Sequence, residues 1–258
     1  MSGWDDFVSG GADHGHAVQI YRELPELAQS VADFFAAGFE SGAPALLVAT
    51  AAHRGRLLAA LTERGWDVDQ LELDGMLVLR DAATVLDAIM RGGYPSSAEF
   101  DDVVGGLVDE LTDAFPGSRP RVFGEMVDVL AHRGEDDAAV SLEELWNSIA
   151  WSRSFSLLCA YELDVFDRET QATRLPEICR THSHVKPADD AGKLARAVDT
   201  ALADVLGASE AGQLYVVVSE ELREERVPSP QLLLMWVSEH MPAHAERILA
   251  AARERYSA

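Results

Sequence analysis

The sequence predicts an α/β fold, a mostly parallel central sheet with helices on both faces, followed by an α-helical C-terminal region. Three observations lead there. Short apolar runs at His16–Tyr21, Ala45–Thr50, Met76–Arg80, Arg121–Glu125 and Ser156–Tyr161 alternate with helical patterns, which is the rhythm of βα units on a parallel sheet. The second run, Ala45-Leu-Leu-Val-Ala-Thr50, is almost continuously apolar, as a strand covered on both faces should be. After Lys186-Pro187 the strand-like runs stop, and apolar residues recur only at helical spacing.

Taken in order, Met1–Gly15 is rich in Gly and Asp and is expected to fray as a flexible tail over residues 1–14. It has neither the basic nor the apolar segment of a signal peptide. The first strand, His16–Tyr21, sets Val18 and Ile20 against Ala17 and Gln19, an alternation that suits a half-buried or edge-adjacent strand. Pro25 opens a helix at a position where its missing N–H costs nothing. Leu27, Val31, Phe34, Phe35 and Phe39 form that helix's apolar stripe. A helix from Ala52 to Arg64 follows the second strand, and Leu71–Arg80 reads as one or two short strands around Gly75.

Asp81 or Thr84 can cap a helix through Leu86, Ile89 and Met90. Gly92–Ser97 reads as a loop and Phe100–Phe115 as a helix. The strand Arg121–Glu125 runs into Met126–Leu130, His132–Asp137 reads as a polar loop, and Leu142–Trp151 as a helix. Phe155–Phe166 is the longest strand-like stretch, and a helix around Arg174–Cys179 leads into His182-Ser-His184. The expected organisation is a tail over 1–14, an α/β domain over 15–188 and a helical region over 189–258. Three apolar stripes mark that last region: Leu194, Val198, Leu202 and Val205; Leu214, Val217, Val218 and Leu222; and Leu232–Tyr256, interrupted at Pro242.

The chain has 258 residues and a net charge of −23. Only two lysines are present, Lys186 and Lys193, and both regions are net acidic. That balance argues against direct nucleic-acid binding and against anionic membranes. No apolar run approaches the ~20 residues that span a bilayer. The two cysteines, Cys159 and Cys179, have no disulfide or zinc-motif spacing, so a cytoplasmic location is expected. Cys159 lies in a very apolar run and is read as a buried, inert thiol.

The chemistry is marked by what is missing. No turn reads G-x-x-x-x-G-K-[ST]; the nearest fragment, Gly192-Lys193-Leu194, lacks the Ser or Thr and follows no strand. There is no G-x-S-x-G elbow, and Cys159 has no activating neighbour in sequence. His14-Gly-His16 and His182-Ser-His184 are H-x-H pairs whose imidazoles share a side in extended chain. They can be metal ligands or ordinary hydrogen-bonded histidines, and no metal or cofactor is expected from them. Glu125 follows Gly124 at the end of a central strand, the edge where open α/β sheets bind ligands. It can bind a ligand, cap a neighbouring helix or pair with an Arg. Tyr161 and Glu162 hold a similar place on the last strand, where Tyr161 can equally be a core aromatic. Asp164 and Asp167 can cap the helix that follows.

Together these residues resemble a known family. The His16-x-x-x-x-Tyr21 strand leads into a Glu26-Leu27 helix, which runs through Phe34-Phe35-Ala-Ala-Gly38-Phe39-Glu-Ser-Gly42 into Leu46-Leu47-Val48-Ala49-Thr50. Gly124-Glu125-Met126, Leu158-Cys159-Ala160-Tyr161 and His182-Ser-His184 come later. This order resembles the MEDS domain, named for methanogen and methylotroph sensory proteins of the dichloromethane-repressor type, over residues 15–188. The resemblance implies a RecA/KaiC-like core without a working Walker A loop. It also implies a sensory role with small organic compounds as ligands, alone or joined to histidine kinases or DNA-binding units.

The expectation is therefore a non-enzymatic cytoplasmic sensor. It would bind a small organic ligand near His16, Tyr21, Glu125, Tyr161 and His184 and regulate a partner kinase or transcription regulator. The C-terminal stripes could pack on the core, on a second copy or on that partner. Two rival readings are a nucleotide-binding RecA-like ATPase or phosphotransfer protein, and a ligand-free acidic adaptor that docks a basic partner.

Overall fold

The computed structural model describes residues 3–9, 15–186, 190–221 and 227–258. The chain divides into two compact units, Met1–Glu162 and Leu163–Ala258, a division that comes before the boundary expected near Lys186-Pro187. Pro187 and His14 lie outside the described residues.

The first unit contains, in order, α1 (Gly3–Ser9), β1 (His16–Tyr21), α2 (Leu24–Glu40), β2 (Ala45–Ala49), α3 (Ala51–Glu63), α4 (Val68–Leu73), β3 (Leu77–Asp81) and α5 (Ala82–Ile89). A small hairpin of β4 (Met90–Arg91) and β5 (Tyr94–Pro95) follows, then α6 (Ser97–Phe100), α7 (Gly106–Ala114), β6 (Arg121–Gly124), α8 (Met126–His132), α9 (Asp136–Ala150) and β7 (Ser156–Glu162). The five long strands pair in parallel in the order β3-β2-β6-β7-β1. Val48 stands opposite Gly124, Gly124 opposite Cys159, and Ile20 opposite Tyr161. All five C-terminal ends therefore lie along one edge.

Side chains alternate between the two sheet faces. Ala17, Tyr21, Leu47, Phe123, Leu158 and Ala160 pack in one core with Leu27, Val31, Phe34 and Phe35 of α2 and Leu57 and Leu61 of α3. The opposite parity presents Cys159 and Tyr161 to Glu143 of α9. On that same face a Cβ on Gly124 would come within 3.4 Å of the Trp146 ring. With both faces covered, β1 is buried along its whole length, so of the two placements its alternation suits, half-buried or edge-adjacent, the half-buried one is excluded.

Several local expectations are corrected. Residues 3–9 of the expected tail form α1, where Phe7 is buried and stacks on Phe34 at 5.2 Å. Arg121 explains much of that anchoring: its Nη1 donates to the carbonyls of Val8 (2.6 Å) and Phe34 (2.9 Å), and its guanidinium lies over the Phe34 ring. Burial pulls the Arg121 pKa down to about 10. Leu71 belongs to helix α4, capped by Asp67 (3.1 Å to the Gln70 N–H), and not to a strand. The Gly92–Ser97 loop includes β5, and residues 101–105 of the helix expected over Phe100–Phe115 form a π-helical turn.

In the second unit a π-helical turn (Thr170–Arg174) leads to α10 (Leu175–Thr181) and the short strand β8 (His184–Lys186). Helices α11 (Ala191–Leu206), α12 (Ala208–Glu221), α13 (Ser229–His240) and α14 (Pro242–Ser257) follow. Asp167 accepts from the Thr170 N–H at 2.8 Å and Asp164 from the Phe166 N–H at 2.9 Å, so both aspartates serve turn and helix starts. Leu194, Val198, Leu202, Leu214 and Val218 are buried as the stripes predict, while Val217 is exposed and Leu222 lies outside the described residues. Gly207, at φ +90°, makes the turn between α11 and α12 in a conformation that only Gly adopts freely. Among the described residues no helix is long and apolar enough to cross a membrane.

Candidate functional site

The C-terminal strand edge of the first unit gathers an unusual set of polar side chains. Glu125 follows β6 directly and is 1% exposed. Its Oε2 accepts the Thr50 N–H at 2.6 Å, and its Oε1 meets His53 Nδ1. Thr50 is the N-cap of α3, where its hydroxyl accepts from the His53 N–H. Glu125 therefore sits at the N-terminus of α3, where unpaired N–H groups and the helix dipole favour an anion. A phosphate loop would place a phosphate in this setting. Here the chain supplies its own carboxylate, reaching back to the N-cap N–H much as a capping-box Glu does, but from a different strand.

A second carboxylate lies one helical turn on. Asp128 of α8 accepts from the Tyr21 hydroxyl at 2.8 Å through Oδ2 and from the Glu162 N–H at 2.9 Å through Oδ1. Burial raises its pKa despite these two bonds. The Tyr21 pKa is raised far out of the ordinary range, first by burial and then by Asp128, with smaller contributions from Glu125 and Glu162. His132 completes the group. Its Nδ1 is 2.9 Å from the Asp128 carbonyl and 3.2 Å from Oδ1, and its Nε2 is 3.4 Å from Glu162. Burial lowers the His132 pKa, but Asp128 and Glu162 outweigh it and the net shift is upward. His53 and His132 are the open side of the cluster, with side chains 24% and 53% exposed.

The residues singled out in the sequence do not form one site. Tyr21 and Glu125 share the strand-end cluster. His16 begins β1 and lies at the opposite end of that strand from Tyr21, about 16 Å away at about 3.3 Å per residue. Tyr161 turns to the α9 face, where its hydroxyl donates to Glu143 Oε1 at 2.8 Å. His16 reaches the same carboxylate: its Nε2 is 3.2 Å from Glu143 Oε2 and 3.3 Å from Cys159 Sγ, and its Nδ1 is 2.9 Å from Asn147 Oδ1. His184 belongs to the second unit, with its Nδ1 2.9 Å from the Ser183 hydroxyl.

Cys159 is fully buried as expected, and its neighbours do not activate it. Burial, then the Glu143 charge, raises its pKa well above that of an ordinary thiol, the reverse of what a nucleophilic thiolate needs. Sequence reasoning missed His53, Asp128, His132 and Glu143. Asp128 follows Glu125 by three residues, which puts both on one side of a helix start, and that spacing was the available signal. A surface recess of about 350 Å³ between the β4–β5 tip and the 134–138 segment shares no residue with the strand-end cluster.

A family model described as MEDS, the methanogen/methylotroph DcmR sensory domain, matches residues 15–183. The chain belongs to the MEDS family. This agrees with the resemblance in the sequence and gives the chain a signalling-sensor role at the level of the family. Both the strand-end cluster and the Glu143 cluster fall inside the matched MEDS segment. No curated protein matches the chain.

Proposed function

We propose that this MEDS domain is a non-enzymatic, cytoplasmic sensor on a RecA/KaiC-like core. It binds a small organic molecule at the strand-end cluster and regulates a partner kinase or transcription regulator. One observation carries the reading: Glu125 occupies the α3 N-terminus with its own carboxylate. A nucleotide phosphate brought there would meet a buried negative charge, with Asp128 close behind. The same groups suit a neutral or cationic organic molecule that donates hydrogen bonds to carboxylates. His53 and His132, on the open side, are the side chains such a molecule would displace.

Signalling then requires that the ligand favour one arrangement of the domain over another. Native mass spectrometry of freshly purified protein tests for a retained small molecule, and calorimetry with ATP and magnesium tests the rival. The expected result is a retained or exchangeable organic ligand that Glu125→Ala weakens by 10-fold or more, about 1.4 kcal/mol, and no ATP turnover. Measurable ATP hydrolysis would overturn the non-enzymatic reading. Unchanged ligand affinity in Glu125→Ala would overturn the site.

A further inference from the structure

We propose that His16, Glu143 and Cys159 form a binding site for a divalent transition-metal ion of the zinc class. The site is separate from the strand-end cluster and stands whether or not that cluster binds an organic ligand.

The sequence disperses these residues over β1, α9 and β7, and the fold brings them together. His16 Nε2, Glu143 Oε2 and Cys159 Sγ make a closed triangle with sides of 3.2, 3.3 and 3.5 Å. Zinc bonds of ~2.0 Å to N or O and ~2.3 Å to S put the ligand atoms of a tetrahedron ~3.3–3.8 Å apart. The triangle is thus close to one face of a zinc tetrahedron, and shifts of a few tenths of an ångström would complete the fit. One imidazole, one thiolate and one carboxylate are a donor set for a borderline-soft ion, not for magnesium or calcium.

The outer contacts match what a metal site needs. His16 Nδ1 lies 2.9 Å from Asn147 Oδ1, so Nδ1–H donates there and the Nε2 lone pair faces the triangle. The Tyr161 hydroxyl donates to Glu143 Oε1 at 2.8 Å, which leaves Oε2 to the ion. His16, Glu143 and Cys159 are all buried, and a dication offsets the charges of the carboxylate and the thiolate there. Binding forms a metal–sulfur bond and releases the thiol proton to solvent, with no change in oxidation state.

Cobalt(II) titrated into chelator-treated wild-type protein tests the site directly. The expected result is one ion per chain, a thiolate-to-cobalt charge-transfer band and release of one proton per ion. Zinc should displace the cobalt and abolish the band. Cys159→Ser should abolish the band and Cys179→Ser should keep it. Asn147→Ala and Tyr161→Phe should weaken zinc binding by about 10–100-fold. A folded wild-type protein with no thiolate–cobalt band overturns the proposal, as does a band that survives Cys159→Ser or disappears in Cys179→Ser. If Cys159→Ser does not fold, the wild-type band together with the Cys179→Ser and Asn147→Ala results still decides.

Discussion

Glu125 and Glu143 are two carboxylates of one unit, each 1% exposed, but their surroundings are built differently. Glu125 is held in part by backbone, through the Thr50 N–H at the start of α3. Glu143 is held by side chains: His16, Cys159 and Tyr161. A backbone N–H at a strand–helix junction survives most substitutions around it, whereas three converging side chains depend on their identities. The strand-end cluster also opens to solvent through His53 and His132, while the α9-face cluster is closed. The first arrangement suits exchange with a ligand, and the second suits permanent holding of a proton or an ion.

Glu143→Ala should give the largest effect. It leaves the Tyr161 hydroxyl and the Cys159 thiol without their shared acceptor in a buried place. The expected loss is about 3 kcal/mol or more, read as a lower urea midpoint at unchanged slope. Glu143→Gln keeps an acceptor for Tyr161 and should lose about half as much. A loss below about 1 kcal/mol in Glu143→Ala would mean that water replaces the carboxylate and that the cluster is not closed.

Glu125→Ala should come next, at about 2 kcal/mol, because water can enter from the His53 side to serve the Thr50 N–H. A loss equal to that of Glu143→Ala would erase the distinction between the two sites. Tyr21→Phe removes the donor to buried Asp128 and should cost about 1 kcal/mol in the same denaturation experiment. It should also lower ligand affinity if the strand-end cluster is the binding place.

The parallel sheet was legible because its strands are short apolar runs covered on both faces, and such runs look alike in sequence and in structure. Glu125 was legible for a related reason: a carboxylate straight after a buried strand must lie at the strand's end. His16 was misplaced because strand direction matters. Its H-x-x-x-x-Y partner, Tyr21, stands at the C-terminal end of the strand, beside Asp128, and His16 starts the strand at the other end. Glu143 was hidden because it precedes Glu144 on a helix, and adjacent acids read as a solvated face. Only the i,i+4 relation of Glu143 to Asn147, beside buried Trp146, hinted that this face turns inward. Nothing in the apolar pattern shows that three side chains from β1 and β7 meet on one carboxylate of α9, because that depends on register across the sheet.

The smallest effect tests the open side of the strand-end cluster. Asp128 and Glu162 raise the His132 pKa above its ordinary 6.5. A group whose pKa is raised on folding stabilises the fold when protonated, and it loses that contribution as pH climbs through the folded value. Wild type should therefore exceed His132→Gln in thermal midpoint at about pH 6 and converge with it at about pH 9. The imidazole is half exposed, so solvent screening holds the difference below about 1 kcal/mol, and added salt should shrink it further. A gap that grows with pH would mean that His132 is held neutral in the folded protein. The strand-end cluster would then be as closed as the one around Glu143, and the contrast between an exchanging site and a holding site would fail.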